Sequence, residues 1–259
     1  MQRLGKNIGG YRGEIIDITQ IVREIQETVL RAGWELDSLP RMEPCSLLAF
    51  HRPVISARKR VYISSGMHGD EPAGPLAVLR LLQENRWPAG LELWLCPCLN
   101  PSGFSLHRRE NAAGIDLNRD YRRLQTPEIR CHIAWLEQRP LFDLTLCLHE
   151  DWEANGFYLY ELNPDNRPSS ADRIIQEVSK ICLIDTSPLI EERPASNGII
   201  RPEGDPLLRP EWAEAIYLIA NKTRQSYTLE APSDFPLETR VAALTTATRV
   251  ALEEIDRES

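Results

Sequence analysis

Two stretches of this 259-residue chain carry residue types that bind metals and move protons. His68 and Glu71 lie in SSGMHGDEPAG, directly after the apolar run VYISS (61–65). A histidine and a glutamate three residues apart, at a strand-to-helix turn, can aim a ring nitrogen and a carboxylate oxygen at one ion. His149 follows the apolar run DLTLCL (143–148). Two histidines and one carboxylate leave a fourth position for water, as a catalytic zinc site requires. Each ligand sits at the carboxyl end of a predicted strand, where open α/β sheets place their sites. A single histidine at a strand end is usually a hydrogen-bonded structural residue, so the weight rests on the conjunction. His51, His107 and His132 read as structural: one heads a polar turn, one sits in a loop, and one lies on a predicted helix.

The loop NPSGFSLHRRENAAGIDLNRDY supplies Arg108, Arg109, Asn118 and Arg119. Guanidinium groups bind carboxylates in bidentate fashion and can stabilise an oxyanion. A solvated basic loop is the ordinary alternative. Here Ile115 and Leu117 alternate with Asp116 and Asn118, which predicts a packed segment that turns its polar side inward. Glu230 ends the strand SYTLE (226–230) and precedes Ala231-Pro232. A carboxylate there, beside a metal-activated water, can act as general base; a surface glutamate is the competing reading.

These residues need a frame to hold them. Apolar residues from Ile18 to Ala32 recur at helical spacing, and Gly33 stops that helix. LLAF (47–50), VYISS (61–65), ELWLC (92–96), DLTLCL (143–148), GFYLY (156–160) and SYTLE (226–230) read as strands. Helices are predicted at about 72–85, 126–139, 171–182, 211–221 and 236–254, with Thr126-Pro127-Glu128 a strong helix start. Residues 100–125 read as a functional loop, and the five prolines between 185 and 210 as an irregular excursion. Strands alternating with helices argue for an α/β sheet covered on both faces, and no linker divides the chain.

Composition narrows the function. Thirty Lys+Arg against 38 Asp+Glu leave a formal charge of −8, which argues against a nucleic-acid partner. No apolar run is long enough for a membrane span, and the N-terminal residues carry no apolar export signal. Cys45, Cys96, Cys98, Cys131, Cys147 and Cys182 are expected as buried free thiols in a reducing cytoplasm, not as a zinc site.

The order H-G-D-E, then R-x-N-x-x-G-I-D-L-N-R, then L-H, then T-L-E resembles the zinc carboxypeptidase family between about residues 60 and 235. The short bacterial metallocarboxypeptidase branch is the nearer likeness, and the aspartoacylase and succinylglutamate desuccinylase relatives are also similar. The resemblance implies one catalytic domain over residues 1–259, built on a mixed twisted sheet with helices on both faces. It implies one zinc ion per chain, held by His68, Glu71 and His149. By the R-x-N-x-x-G spacing, Arg109 rather than Arg108 matches the arginine that polarises the scissile carbonyl. Asn118 and Arg119 match the pair that holds the substrate's free carboxylate, and Glu230 matches the catalytic glutamate. Members of this type often carry a mobile tyrosine over the substrate, and neither Tyr217 nor Tyr227 fits that place.

The expected activity is hydrolysis of a C-terminal peptide or peptide-like amide bond by a metal-activated water, with Glu230 as general base. The alternatives are an N-acyl amino acid deacylase of the same chemistry and a non-catalytic binding protein. The substrate is expected to be a small peptide or acyl-amino acid with a free carboxylate. The acidic run Glu150-Asp151-Trp152-Glu153 would favour a basic substrate or supply a second metal ligand. The 185–210 segment is expected to rim the pocket.

Overall fold

The computed structural model describes residues 3–7, 13–37 and 47–258. Cys45 and most of the N-terminal stretch read for an export signal lie outside them. Helix α1 (Ile18–Arg31) starts at Asp17, whose carboxylate accepts the Gln20 N–H, and Gly33 leaves it at a φ of +80°. The chain then runs β1 (Glu35–Asp37), β2 (Ala49–Arg52), β3 (Lys59–Ser65), α2 (Ala73–Glu84), β4 (Leu91–Cys96) and α3 (Pro101–Leu106). It continues through α4 (Pro127–Glu137), β5 (Leu144–Asp151), β6 (Tyr158–Leu162), α5 (Ala171–Val178), β7 (Leu189–Ile190), β8 (Arg193–Ser196) and β9 (Ile199–Ile200). The last elements are α6 (Glu214–Asn221), β10 (Ser226–Pro232) and α7 (Leu237–Arg257).

The strands form one sheet in the order β1-β2-β4-β3-β5-β10-β6-β9-β8-β7. The central four, β4, β3, β5 and β10, are parallel, while β2 and β6 flank them antiparallel. Alternation along the strands builds two cores. Val61, Ile63, Leu146, Leu148 and Leu229 pack with residues of α1, α2, α5 and α7. Tyr62, Trp94 and Cys147 point the other way and pack with Ile129, Trp135, Tyr217 and Leu218 of α4 and α6. Helices therefore cover both faces of a mixed, open sheet, as the alternation of elements predicts.

Topology fixes where a site can form. From β3 the chain moves through α2 to β4 on one side, and from β5 it moves on to β6 and β10 on the other. The carboxyl ends of β3 and β5 thus flank a switch point, which opens a crevice that no crossover fills.

Two parts of the chain are more ordered than expected. The 100–125 loop holds α3, capped by the Asn100 side chain on the Gly103 N–H, and a single turn of 3-10 helix at Leu117–Arg119. The 185–210 stretch is irregular only in part, because β7, β8 and β9 extend the sheet before residues 201–210 run on without a strand. The β8–β9 turn is Asn197-Gly198, with φ of 51° and 76°, the usual chemistry of a two-residue hairpin. The β7–β8 turn is Glu191-Glu192, also left-handed at 47° and 58°, and its sequence carries no turn signal. Smaller shifts occur as well: the first predicted strand begins at Ala49, and GFYLY contributes Tyr158–Leu162.

Candidate active site

Three ligand atoms converge at the switch point. Ligand atoms of His68, Glu71 and His149 all lie within 4.8 Å of one another, and all three residues are buried. Glu71 presents one oxygen 2.5 Å from His68 Nδ1 and the other 3.0 Å from His149 Nδ1. Burial disfavours the Glu71 carboxylate, but the two imidazoles outweigh this and hold it well below the usual carboxylate range. A buried His₂Glu set whose carboxylate stays ionised suits zinc. The back of His68 fits the same reading, since its Nε2 faces Asp116 Oδ1 at 3.2 Å. A carboxylate behind a ligand histidine fixes ring orientation and raises ligand basicity. Among the described residues, this trio is the one cluster of histidine, cysteine and carboxylate groups gathered for a metal.

Local backbone chemistry explains why the trio meets. His68 leaves β3 through Gly66, at a φ of +64°. A Cβ on Gly69 would stand 1.9 Å from the Gly103 carbonyl carbon, so α3 can lie against this turn only when position 69 is glycine. The Asn100 side chain ties the two segments, donating to the carbonyls of Met67 at 3.2 Å and Arg109 at 3.1 Å. Nothing in the spacing of chemical residues marked Asn100, and the alternation around Ile115 and Leu117 turned Asp116 inward without assigning it a partner. An Asn-Pro pair heading a helix is the signal that could have found the first.

Arg109 and Arg108 separate cleanly. The Arg109 guanidinium donates from Nε to Asp116 Oδ2 at 2.9 Å and stands 3.8 Å from Glu71 Oε1, inside the crevice. Arg108 turns to the loop and donates to the Asn111 and Ala112 carbonyls. Asp116 thus serves His68, Arg109 and, through its Oδ1, the Asn118 N–H at 2.9 Å.

Asn118 and Arg119 occupy the 3-10 turn on the same wall. The Asn118 Oδ1 accepts the Glu214 N–H at 2.9 Å, which leaves the side-chain N–H groups to face a ligand. Glu214 is itself locked from beneath. Tyr62 and Ser64 donate to its two oxygens, both at 2.9 Å. Tyr62 spends its proton there, so it accepts from His132 Nε2 at 2.8 Å, and Tyr121 meets Nδ1 at 2.7 Å. Burial holds His132 neutral, down to about 3, and pushes Glu214 up to about 7. His132 is thus structural, as is His51, whose ring meets Glu92 at 3.0 Å.

Glu230 closes the arrangement. It pairs with His149 across the β10–β5 ladder, and alternation puts both side chains on the same face of the sheet. Burial, then the carboxylates of Glu71, Glu191 and Asp151, push Glu230 well above the usual range. Tyr158 and Tyr160, on the neighbouring β6, add two hydroxyls: Tyr158 donates to Asp151 at 3.1 Å, and Tyr160 donates to Glu191. Tyr160 lines the cavity, at a place the sequence offered no reason to favour.

The cavity is about 720 Å³ and is lined by every predicted site residue: His68, Glu71, Arg109, Asn118, Arg119, His149 and Glu230. The acidic run after His149 behaves differently from its sequence. Glu150 points to the opposite face, ion-paired with the fully buried Arg240 and accepting the Ala73 N–H at 2.5 Å. Arg240 engages it, and among the described residues it and Asp151 join no second cluster gathered for a metal. Cys96, Cys98, Cys147 and Cys182 are free and buried, and burial pushes Cys98 up to about 12. Among the described residues, no helix is long and apolar enough to cross a membrane.

Comparison with known proteins bears on the fold. Residues 49–131 match a family described as protein of unknown function (DUF2817). Carboxypeptidase SOL1 of Arabidopsis thaliana is 33% identical over 91 residues, which is 27% of this chain and 18% of that protein. The chain thus spans under a fifth of that curated relative. A candidate metallopeptidase from Shewanella denitrificans superposes with a TM-score of 0.77 at 23% identity, covering 92% of this chain and 90% of the other. The metallo-carboxypeptidase of Pseudomonas aeruginosa in complex with (2-guanidinoethylmercapto)succinic acid gives 0.70 at 16% identity, over 93% and 70%. Over nearly its whole length this chain thus shares the fold of those metallopeptidase and metallo-carboxypeptidase structures, and over about a quarter of it the sequence is similar to carboxypeptidase SOL1.

Proposed function

We propose that this protein is a zinc-dependent carboxypeptidase that removes the C-terminal residue of a peptide or peptide-like amide. One observation carries the reading: a buried His68–Glu71–His149 trio faces Glu230 in a cavity whose wall bears Asn118 and Arg119. Zinc bound by the trio would supply a Lewis acid and lower the pKa of a water towards about 7. The rest falls to the chain's own side chains. Glu230 takes a proton from the attacking water and returns it to the leaving amine nitrogen. Its buried, acid-rich setting makes it a ready proton carrier, and a dication beside Glu71 would offset part of the push on it. Arg109, steadied by Asp116, places a guanidinium where negative charge develops on the carbonyl oxygen. Asn118 and Arg119 fix the substrate by its free carboxylate, which sets the scissile bond over the reacting groups. One ion per chain suits the single trio, and free buried thiols suit a reducing cytoplasm.

The test is hydrolysis of N-blocked dipeptides by zinc-loaded protein, with the C-terminus either free or amidated. Release of the terminal residue from the free form alone is expected. Equal cleavage of both forms would remove the role given to Asn118 and Arg119, and cleavage of neither would remove the peptidase reading.

A further inference from the structure

Three arginines converge in the cavity from three separate segments. Arg119 stands on the 3-10 turn, Arg193 on β8, and Arg209 just after the second 3-10 turn, Pro206–Leu208. All three line the same cavity, and burial, then the charge of Arg193 and, after an opposing Tyr160, that of Arg119 hold the Arg209 guanidinium below its usual range. Among the described residues, no carboxylate lies within 4.0 Å of any of them. Four of the acids that line the cavity are engaged by other partners. Glu211 pairs with Arg123 at 3.0 Å, Glu191 accepts the Tyr160 hydroxyl, Asp151 accepts that of Tyr158, and Asp116 serves His68 and Arg109 and is touched by the charge of Arg119 only at longer range.

Like charges gathered without a counter-ion are unfavourable unless something anionic occupies the space between them. A substrate's terminal carboxylate accounts for Arg119, together with Asn118. It leaves Arg193 and Arg209 without an anion. A leaving residue that carries a second carboxylate on its side chain satisfies both. Guanidinium is the group suited to that task, since its planar fork meets carboxylate oxygens in pairs. We propose that the cavity selects a C-terminal acidic residue, with Arg193 and Arg209 binding its side-chain carboxylate while Asn118 and Arg119 bind its main-chain one. This assignment rests on the carboxypeptidase reading for its chemistry, but the anion subsite itself can be measured without turnover. It also reverses the basic preference that the acidic run after His149 suggested.

The experiment is calorimetric titration of zinc-loaded protein with free L-glutamate and L-glutamine, two leaving-residue analogues that differ in the second charge. Glutamate is expected to bind at least about tenfold more tightly than glutamine, the worth of a charge-assisted contact. In the paired substitution Arg193→Gln with Arg209→Gln, that advantage should vanish and glutamine binding should persist. Both side chains are half-buried on the cavity wall, so the fold should survive, which far-UV circular dichroism checks. Glutamate that binds no better than glutamine, or does not bind, overturns the proposal. A kinetic arm compares N-blocked dipeptides ending in glutamate and in glutamine. Cleavage without preference for glutamate overturns the acidic specificity and leaves the peptidase reading standing. Glutamate discrimination in the titration with no cleavage of any peptide supports the subsite and overturns the peptidase reading.

Discussion

Glu230 and His149 are direct partners in the parallel ladder between β10 and β5. That one register sets the proposed proton carrier beside a proposed metal ligand, with no loop between them to blur the distance. A rigid sheet positions such groups better than loops do. Replacing Glu230 with Gln keeps the shape and removes the base. Turnover should fall by about 10²–10⁴-fold or more while zinc stays bound. Near-normal kcat in that variant would show that Glu230 is not the base.

Asp116 should matter almost as much as a ligand. It touches His68 from behind, holds Arg109 and caps the turn that presents Asn118. In Asp116→Asn, zinc affinity or activity should drop by about 10–100-fold, the usual cost of losing such a partner. Competition with a chelator measures the affinity directly. Unchanged affinity and unchanged kcat would reduce Asp116 to a loop cap.

Glu214 predicts a pH dependence of stability. Its folded value is about 7 against an ordinary 4.5, so the native state holds a proton that the unfolded chain releases between those values. Stability from this group is complete below about pH 4.5 and is lost as pH rises to about 7, a span worth roughly 3 kcal/mol. Glu214→Gln stays neutral throughout. Wild type should therefore lose stability relative to that variant as pH rises through this window, and the two should run parallel above it. Denaturant melts across the range check this, and parallel curves everywhere would refute it.

Glu150 offers a stability test that leaves the site alone. Its partner Arg240 is fully buried, and the pair stands on the far side of the sheet from His149. Removing one member of a buried pair typically costs up to about 3–5 kcal/mol, and less where, as here, Arg240 keeps a second partner in Glu14. Glu150→Ala should melt at a clearly lower temperature and still bind zinc as wild type does. Loss of zinc with an unchanged melt would return Glu150 to the metal site.

The parts of the site that were legible in the sequence share one feature. His68, His149 and Glu230 each follow an apolar strand, so hydrophobic runs alone locate them at strand ends. What the runs leave open is which strands are neighbours. Between β5 and β10 the chain inserts β6, α5, β7, β8, β9 and α6, and only packing returns β10 to the side of β5. Glu214 was hidden, and Asp116, though read as turned inward, had no visible task, for another reason. Their work depends on contacts with segments 48 and 150 residues away, to His68 and Ser64 respectively. Arg193 was obscured by a hairpin turned on Glu191-Glu192, where left-handed backbone occurs without glycine or asparagine. Glu150 misled because alternation sends it to the opposite face from both of its acidic neighbour Asp151 and the ligand His149.

The central claim is that His68, Glu71 and His149 hold the ion on which the chemistry depends. Metal content per chain tests it most directly, by elemental analysis of untagged protein purified with zinc beside His68→Ala. The account predicts about one zinc per chain in the wild type and its loss from the variant. No zinc in the wild type, or equal zinc in both proteins, would contradict it.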